Sequence, residues 1–129
     1  MDVKTLQGVR LFSSLSKKEL EELASLTTQL DIPVGTELMR EGALAHEFFV
    51  IEDGLAEVRL AGERIAELGP GDFFGEIALV ETGRRTATVT ATRPLRVIAM
   101  TRQEFSRMQR DMPAVADRIE AAVRARLER

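Results

Sequence analysis

A glycine-rich stretch is the part of the sequence best suited to holding a small anion. Gly69, Gly71 and Gly75 lie close together, and glycine permits backbone conformations in which neighbouring amide groups point at one centre. The residues after Gly75 suffice for one helical turn, whose first amide groups have no partner inside the turn. Amide groups in that arrangement bind phosphate. The stretch therefore predicts an anion site built largely from the main chain.

Arg85 is the candidate cation for such an anion. The segment after it alternates between threonines and small apolar residues, which is typical of a strand. The apolar members are Ala87, Val89 and Ala91, and Arg85 falls on their face. If that face is the inner one, the guanidinium points into the protein, where an unpaired charge costs about 3 to 5 kcal/mol. Either Glu76 or a bound anion must then pair with Arg85.

Each charged residue also has an ordinary structural role open to it. Glu76 could be an acid stabilised by the dipole at a helix N-terminus, or a plain salt-bridge partner of Arg85. Arg84 has the opposite parity to Arg85 and is expected on the surface. The occurrence of Glu76 and Arg85 together, nine positions apart in the glycine-rich region, favours a nucleotide-type pocket over either structural role.

The residues around this pair resemble a known family. Phe-Gly-Glu-Ile-Ala-Leu at 74–79, followed by Arg-Thr-Ala-Thr-Val from Arg85, closely resembles the phosphate-binding cassette of cyclic nucleotide-binding domains. The resemblance runs from about Leu11 to the C-terminus and includes Pro33-Val34-Gly35, Glu41-Gly42 and residues 48–54. It therefore covers most of the chain.

The resemblance implies a role for each cassette residue. Glu76 would take the ribose 2′-hydroxyl, Arg85 would pair with the cyclic phosphate, and backbone amides would complete the phosphate site. The implied ligand site, within a cassette spanning 74–87, consists of Phe74, Gly75, Glu76, Ile77, Ala78, Arg85, Thr86 and Ala87. We expect Phe74 to pack in the core beneath the cassette rather than to stack on the base.

Thr86 bears on which nucleotide is bound. In the resembled family a hydroxyl directly after the phosphate arginine is associated with contacts to guanine, although domains with this threonine also accept cAMP. The ordinary alternative is a residue of high β propensity on a strand of alternating threonines. We expect cAMP rather than cGMP as the ligand, and no cofactor or metal.

Composition narrows the class of protein. At 129 residues the chain suits one domain, and its net charge of -3 argues against general nucleic-acid binding. A single histidine and the absence of cysteine leave no metal set of the cupin type and no cysteine nucleophile, so we do not expect an enzyme. There is no apolar run long enough to cross a bilayer and no signal peptide, so we expect a soluble protein of the cytoplasm.

The apolar patterns predict a mainly β domain with flanking helices: a β-roll or jelly-roll (double-stranded β-helix) with N-terminal helices and a C-terminal helix pair. We expect one domain over 1–129, with a helical segment at 1–26, the roll at 27–100 and helices at 101–129. Closing the roll should leave a pocket of mononucleotide size. Predicted strands cover 28–32, 37–41, 47–52, 55–60, 63–68, 86–92 and 95–100. Ser16-Lys17-Lys18-Glu19 and Thr101-Arg102-Gln103-Glu104 read as capping boxes that begin helices.

The last helix is expected to start at Pro113 and to be amphipathic. Its apolar stripe contains Val115, Ile119, Ala122, Val123 and Leu127. The resemblance implies that it closes over the nucleotide base as a lid and that it can form a dimer seam. Tyr and Trp are absent, so a side chain that stacks on the base would be an aliphatic one or an arginine, such as Val123, Arg126 or Leu127. No one of them is assigned, because a role in the core, the dimer seam or the surface is favoured for each. A homodimer, or an effector protein or domain beyond Arg129, is therefore an expected partner. A nucleotide-free domain of the same fold, used for protein interaction or dimerisation with Glu76 paired to Arg85, is the alternative.

Overall fold

The computed structural model describes residues 3–43, 47–75 and 87–127, with the side chains of the last helix described through Ala125. The helices are α1 Val3–Gln7, α2 Lys17–Ala24, α3 Arg102–Asp111 and α4 Pro113–Leu127, and a 3₁₀ turn covers Arg10–Phe12. The strands are β1 Thr28–Ile32, β2 Glu37–Met39, β3 Glu47–Asp53, β4 Ala56–Leu60, β5 Glu63–Leu68, β6 Phe73–Phe74, β7 Thr88–Ala91 and β8 Leu95–Thr101.

The strands form two four-stranded antiparallel sheets. Sheet A has the order β1-β8-β3-β6 and sheet B the order β2-β7-β4-β5. Helices precede and follow the strands, so the predicted class, a mainly β-roll with flanking helices, is confirmed.

Sheet A separates two apolar clusters. On its inner face, Phe49, Ile51 and Val97 pack among the residues of sheet B, in the interior of the roll. On its outer face, Phe48 and Met100 pack among the helices. Neighbouring residues of β3 and β8 therefore enter different cores, because side chains alternate between the faces of a strand. The molecule has three layers, with the helices outside sheet A and sheet B on its other side.

Both predicted capping boxes are confirmed. The Glu19 amide donates to Ser16 Oγ at 3.1 Å, and the Ser16 amide donates to Glu19 Oε1 at 2.9 Å. At the start of α3, Glu104 and Thr101 exchange the same two bonds at 3.0 and 2.9 Å. These bonds satisfy amide groups that the first helical turn cannot pair internally.

Two strand predictions differ from the structure. The strand expected over 37–41 ends at Met39, because Arg40 to Ala43 form a turn closed by a hydrogen bond from the Ala43 amide to the Arg40 carbonyl at 3.1 Å. The sequence also predicted no strand at Phe73–Phe74, which pairs with β3 through Phe49 and Val50. A strand of two residues has too little alternation to be recognised from sequence.

Helix α4 packs on the N-terminal helical segment. Val115, Ile119 and Val123 are buried in the same cluster as Leu6 and Phe12. This confirms three members of the predicted apolar stripe. A fourth, Ala122, is only half-buried, and the side chain of Leu127 lies outside the described residues.

Candidate functional site

The Gly69–Asp72 turn is fastened to β3 by its main chain. The Gly71 amide donates to the Ile51 carbonyl at 2.9 Å, and the Ile51 amide donates to the Asp72 carbonyl at 2.8 Å. The Asp72 carboxylate accepts the Gly69 amide at 2.8 Å. The expectation that these glycine amides converge on an anion is therefore wrong for Gly69 and Gly71, since both already donate within the protein. The turn therefore holds the start of the cassette against β3.

Phe73 and Phe74 fix the start of the cassette from opposite faces of sheet A. Phe74 stacks on Phe49 inside the roll, with ring centroids 5.1 Å apart and planes 24° apart. Phe73 meets Phe48 on the helical side, with centroids 5.5 Å apart. Phe74 is buried, as expected for a residue that packs beneath the cassette. Gly75 follows it, also buried, with a φ of 80° that favours glycine.

Strand β7 receives the chain after the cassette. Ala87, Val89 and Ala91 are buried, whereas Thr88 and Thr90 are half-buried. Val89 and Ala91 belong to the roll interior together with Phe74. The expectation that the small apolar face is the inner one is confirmed.

Glu76, Ile77, Ala78, Arg85 and Thr86 lie outside the described residues. Their roles therefore stay predictions. The structure describes Phe74 and Gly75 at one end of the cassette and Ala87 at the other. Phe74, at the end of β6 in sheet A, packs in the same core as Val89 of β7 in sheet B, so both ends of the cassette adjoin the roll interior.

Sequence reasoning missed two side chains that border this interior. Met39 and Val58 flank Val89 on either side in sheet B, and both pack on the inner cluster while remaining half-buried. They provide an apolar, half-buried surface on either side of Val89. For Val58, the signal that could have found it is the alternation of Ala56 and Val58 with the charged Glu57 and Arg59 along β4.

Each arginine in the described strands of sheet B forms an ion pair with a glutamate. Arg59 Nε lies 2.7 Å from Glu57 Oε1, and Arg64 pairs with Glu67 at 2.8 Å. Just after β2, Arg40 pairs with Glu37 at 3.1 Å, and this hydrogen bond raises the pKa of the Arg40 guanidinium. Each of these three guanidinium groups therefore has a carboxylate partner.

A cavity of about 750 Å³ lies on the helical side of sheet A. Its lining includes Lys4 and Arg10 from the N-terminal segment, Ala122 and Ala125 from α4, and Phe73. Phe73 faces away from the roll interior, so this cavity is separate from the mononucleotide-sized pocket expected inside the roll. That pocket depends on residues 76–86 and stays a prediction.

Comparison with protein families identifies the fold. The family model for the cyclic nucleotide-binding domain matches residues 29–111, which include both sheets and α3. The chain belongs to this family. Within the described residues, no helix is both long enough and apolar enough to span a bilayer.

Known members of the family cover more than one kind of protein. A cAMP-dependent protein kinase regulatory subunit from Yarrowia lipolytica is 37% identical over 105 residues, which are 80% of this chain and 28% of the relative. The cyclic AMP receptor protein of Thermus thermophilus is 28% identical over 127 residues, 95% of this chain and 59% of the relative. The chain thus spans only part of the length of either protein.

A solved structure of cAMP-bound PfPKA-R superposes with a TM-score of 0.83 at 25% identity, covering 98% of this chain and 42% of that one. The similarity therefore includes the flanking helices as well as the sheets.

Proposed function

We propose that this domain is a regulatory module that binds a cyclic nucleotide in the interior of the roll, cAMP in preference to cGMP. In this proposal Arg85 holds the cyclic phosphate, Glu76 holds the ribose 2′-hydroxyl, and movement of α4 is the signal. Phe74, Gly75, Ile77, Ala78, Thr86 and Ala87 complete the site. The role is binding and regulation rather than catalysis.

One observation carries the assignment of Arg85. Val89 and Ala91 point into the roll and Ala87 is buried, and the same alternation continued back by two residues would direct Arg85 inward as well. A guanidinium in that position requires a negative partner, because burial without one is strongly unfavourable. The cyclic phosphate, with Glu76 beside it, supplies that charge.

The surroundings support the same assignment. Arg40, Arg59 and Arg64 are already paired with glutamates, so within sheet B a ligand phosphate would need a cation from the cassette. Met39 and Val58 offer an apolar surface suited to a purine. The cAMP-bound state of the superposed PfPKA-R supports the choice of a cyclic nucleotide.

The test is calorimetric titration with cAMP. We expect a dissociation constant of about 1 μM or tighter, equivalent to roughly 8 kcal/mol or more. Arg85→Ala should abolish most of this affinity, and Arg84→Ala, the matched control with opposite parity, should retain it. Full affinity in Arg85→Ala would disprove the assignment of the phosphate partner. Absence of binding and of thermal stabilisation by either nucleotide would favour a nucleotide-free interaction domain.

The preference between nucleotides is tested at Thr86. Affinities for cAMP and cGMP are compared in the wild type and in Thr86→Ala. If the hydroxyl contacts guanine, the variant loses affinity for cGMP more than for cAMP. An unchanged ratio would exclude Thr86 as a determinant of selectivity.

Partners beyond the nucleotide stay proposals. The amphipathic α4 suits a homodimer seam or an effector protein, and we propose no direct contact with nucleic acid or membrane. A cytoplasmic location is part of the same proposal. Sizing of the protein with and without cAMP tests the homodimer directly, since a ligand-dependent change in mass requires a change in association.

A further inference from the structure

Glu41 connects three elements at one end of sheet B. Its main-chain amide donates to Oγ1 of Thr88 at 3.0 Å, and its carboxylate Oε2 accepts the amide of Ala61 at 3.1 Å. Glu41 belongs to the turn after β2, Thr88 is the first residue of β7, and Ala61 lies in the loop between β4 and β5. Together these two hydrogen bonds form a link from β7 to the β4–β5 loop, the Glu41 bridge.

The Glu41 bridge completes the pairing of β7 at its first residue. Strand β7 lies between β2 and β4 in sheet B. On the β4 side, Thr88 is in register with Arg59, whereas on the β2 side the register ends with Met39 opposite Val89. The hydrogen bond from the Glu41 amide therefore holds Thr88 on the side where the strand ladder does not reach it.

This position lies directly after the cassette. Thr88 follows Ala87, the last cassette residue, and is three residues after Arg85 in the sequence. Ala87 is buried and Thr88 is half-buried, as expected for neighbours on opposite faces of a strand. Fixing Thr88 on both sides limits the positions from which the chain can enter β7, and so limits where the residues just before it can lie.

We propose that the Glu41 bridge holds the start of β7 where Arg85 can meet the cyclic phosphate, so that Glu41 and Thr88 are positioning residues for nucleotide binding. The inference rests on the proposed function and deepens it, because it names residues outside the cassette on which the phosphate contact depends. Arginine binds phosphate best through two parallel N–H groups, and displacement of the side chain loses this geometry. A group that is fixed before binding also loses less conformational entropy on binding.

Thr88 tests the bridge by calorimetric titration with cAMP. Thr88→Val removes the hydroxyl and keeps a β-branched side chain, so the strand propensity is retained. We expect the dissociation constant to rise about two- to tenfold, the effect of losing one hydrogen bond. Thr88→Ser keeps the hydroxyl and should bind cAMP as the wild type does. The matched control is Thr90→Val, two residues further along the same face of β7 and outside the bridge, which should leave the affinity unchanged.

Glu41 gives a second route to the same bridge. Glu41→Ala removes the acceptor of the Ala61 amide and should also weaken cAMP binding, whereas Glu41→Gln retains an oxygen that can accept this amide and should bind normally. Both variants lose one negative charge, so a purely electrostatic role predicts equal gains in affinity for the anionic ligand. Glu63→Ala removes an exposed carboxylate at the start of β5, outside the bridge, and measures that charge effect alone.

A double-mutant cycle separates positioning from a general loss of stability. Arg85→Lys keeps the positive charge but loses the paired N–H groups of the guanidinium, so cAMP should bind more weakly. If the bridge acts by positioning that guanidinium, Thr88→Val should cost less affinity in Arg85→Lys than in the wild type. A general loss of stability would instead add to the effect of Arg85→Lys. Additive losses of affinity would therefore overturn the positioning role.

The outcomes separate this inference from the proposed function. If the wild type binds cAMP and Thr88→Val binds it as tightly as Thr90→Val, the bridge has no role in binding and the proposed function stands. If urea denaturation shows that Thr88→Val does not fold, the comparison of Glu41→Ala with Glu41→Gln decides instead, and equal affinities of those two variants would overturn the bridge. If the wild type binds no cyclic nucleotide, the proposed function fails and the positioning role fails with it.

Discussion

Phe49 and Phe74, the first residue of the cassette, stack inside the roll with ring centroids 5.1 Å apart. On the other face of the same two strands, Phe48 and Phe73 form a second pair with centroids 5.5 Å apart. The pairs share strands β3 and β6 but contact different cores. The same chemical change can therefore be made on the roll-interior side or on the helical side of sheet A.

We expect Phe74→Leu to weaken nucleotide binding, because it removes the stacking on Phe49 that holds the first residue of the cassette in place. Phe73→Leu should leave affinity near the wild-type value. Both changes retain an apolar side chain and should cost about 1 kcal/mol of unfolding free energy. Urea denaturation checks the matched loss of stability and calorimetry with cAMP checks the difference. Equal losses of affinity would show that Phe74 acts only through global stability.

Gly54 lies where the chain turns after β3, and it cannot accept a side chain. Its φ is 97°, and an added Cβ would lie 2.2 Å from the carbonyl oxygen of Pro94. Gly62 has a similar φ of 84° but no atom within 4 Å of such a Cβ. Gly62→Ala should cost about 1 to 2 kcal/mol from backbone strain alone. Gly54→Ala adds a clash with the main chain and should cost about 3 kcal/mol or more. Urea denaturation of both variants measures the difference, and equal costs would contradict the predicted clash.

Ala61 occupies a position that favours asparagine or glycine. It precedes Gly62 in the two-residue loop between β4 and β5, and both residues have positive φ, 52° at Ala61. Such loops are typical of type I′ hairpins, in which asparagine followed by glycine is preferred. We expect Ala61→Asn to raise the free energy of unfolding by roughly 0.5 to 1 kcal/mol, and Ala61→Val to lower it. Thermal and urea unfolding should agree on the order of the three proteins, and a valine variant as stable as the asparagine one would contradict this account.

Local pattern was enough to predict much of this fold. The alternation through Val89 and Ala91 identified the inner face of β7, and both capping boxes follow from residues three apart in sequence. These features depend on side-chain periodicity and short-range hydrogen bonds, which the sequence displays directly.

The features that the sequence did not predict depend on contacts between residues far apart in the chain. The sequence predicted that amides around Gly69 and Gly71 bind an anion. In the structure, the Gly71 amide donates instead to the carbonyl of Ile51, a residue of β3. Strand β6 exists only because β3 lies beside it. Arg118 of α4 bonds to Ser14 and Glu19 of the N-terminal helical segment. No local pattern predicts a contact between residues so far apart in the sequence.

The carboxylate of Glu19 should make stability depend on pH. The hydrogen bond from the Ser16 amide lowers the pKa of Glu19 below its usual 4.5; partial burial opposes this, and Arg118 adds to the lowering. Near pH 4.5 the unfolded chain therefore binds more protons at this residue than the folded one, so stability rises with pH there. The contribution is fully present above about pH 5.5 and is lost as the pH falls through the folded pKa.

Urea denaturation of the wild type and of Glu19→Gln tests this sign. The wild type should be the more stable at pH 7, and its advantage should shrink as the pH is lowered below about 4.5. Glu21→Gln, at an exposed position of the same helix, is the control for a general charge effect. Arg118→Met should keep most of the pH dependence, because the Ser16 amide is the larger cause of the shift. If the wild type exceeded Glu19→Gln in unfolding free energy by the same amount at pH 7 and below about pH 4.5, Glu19 would stabilise the fold through packing and not through its charge.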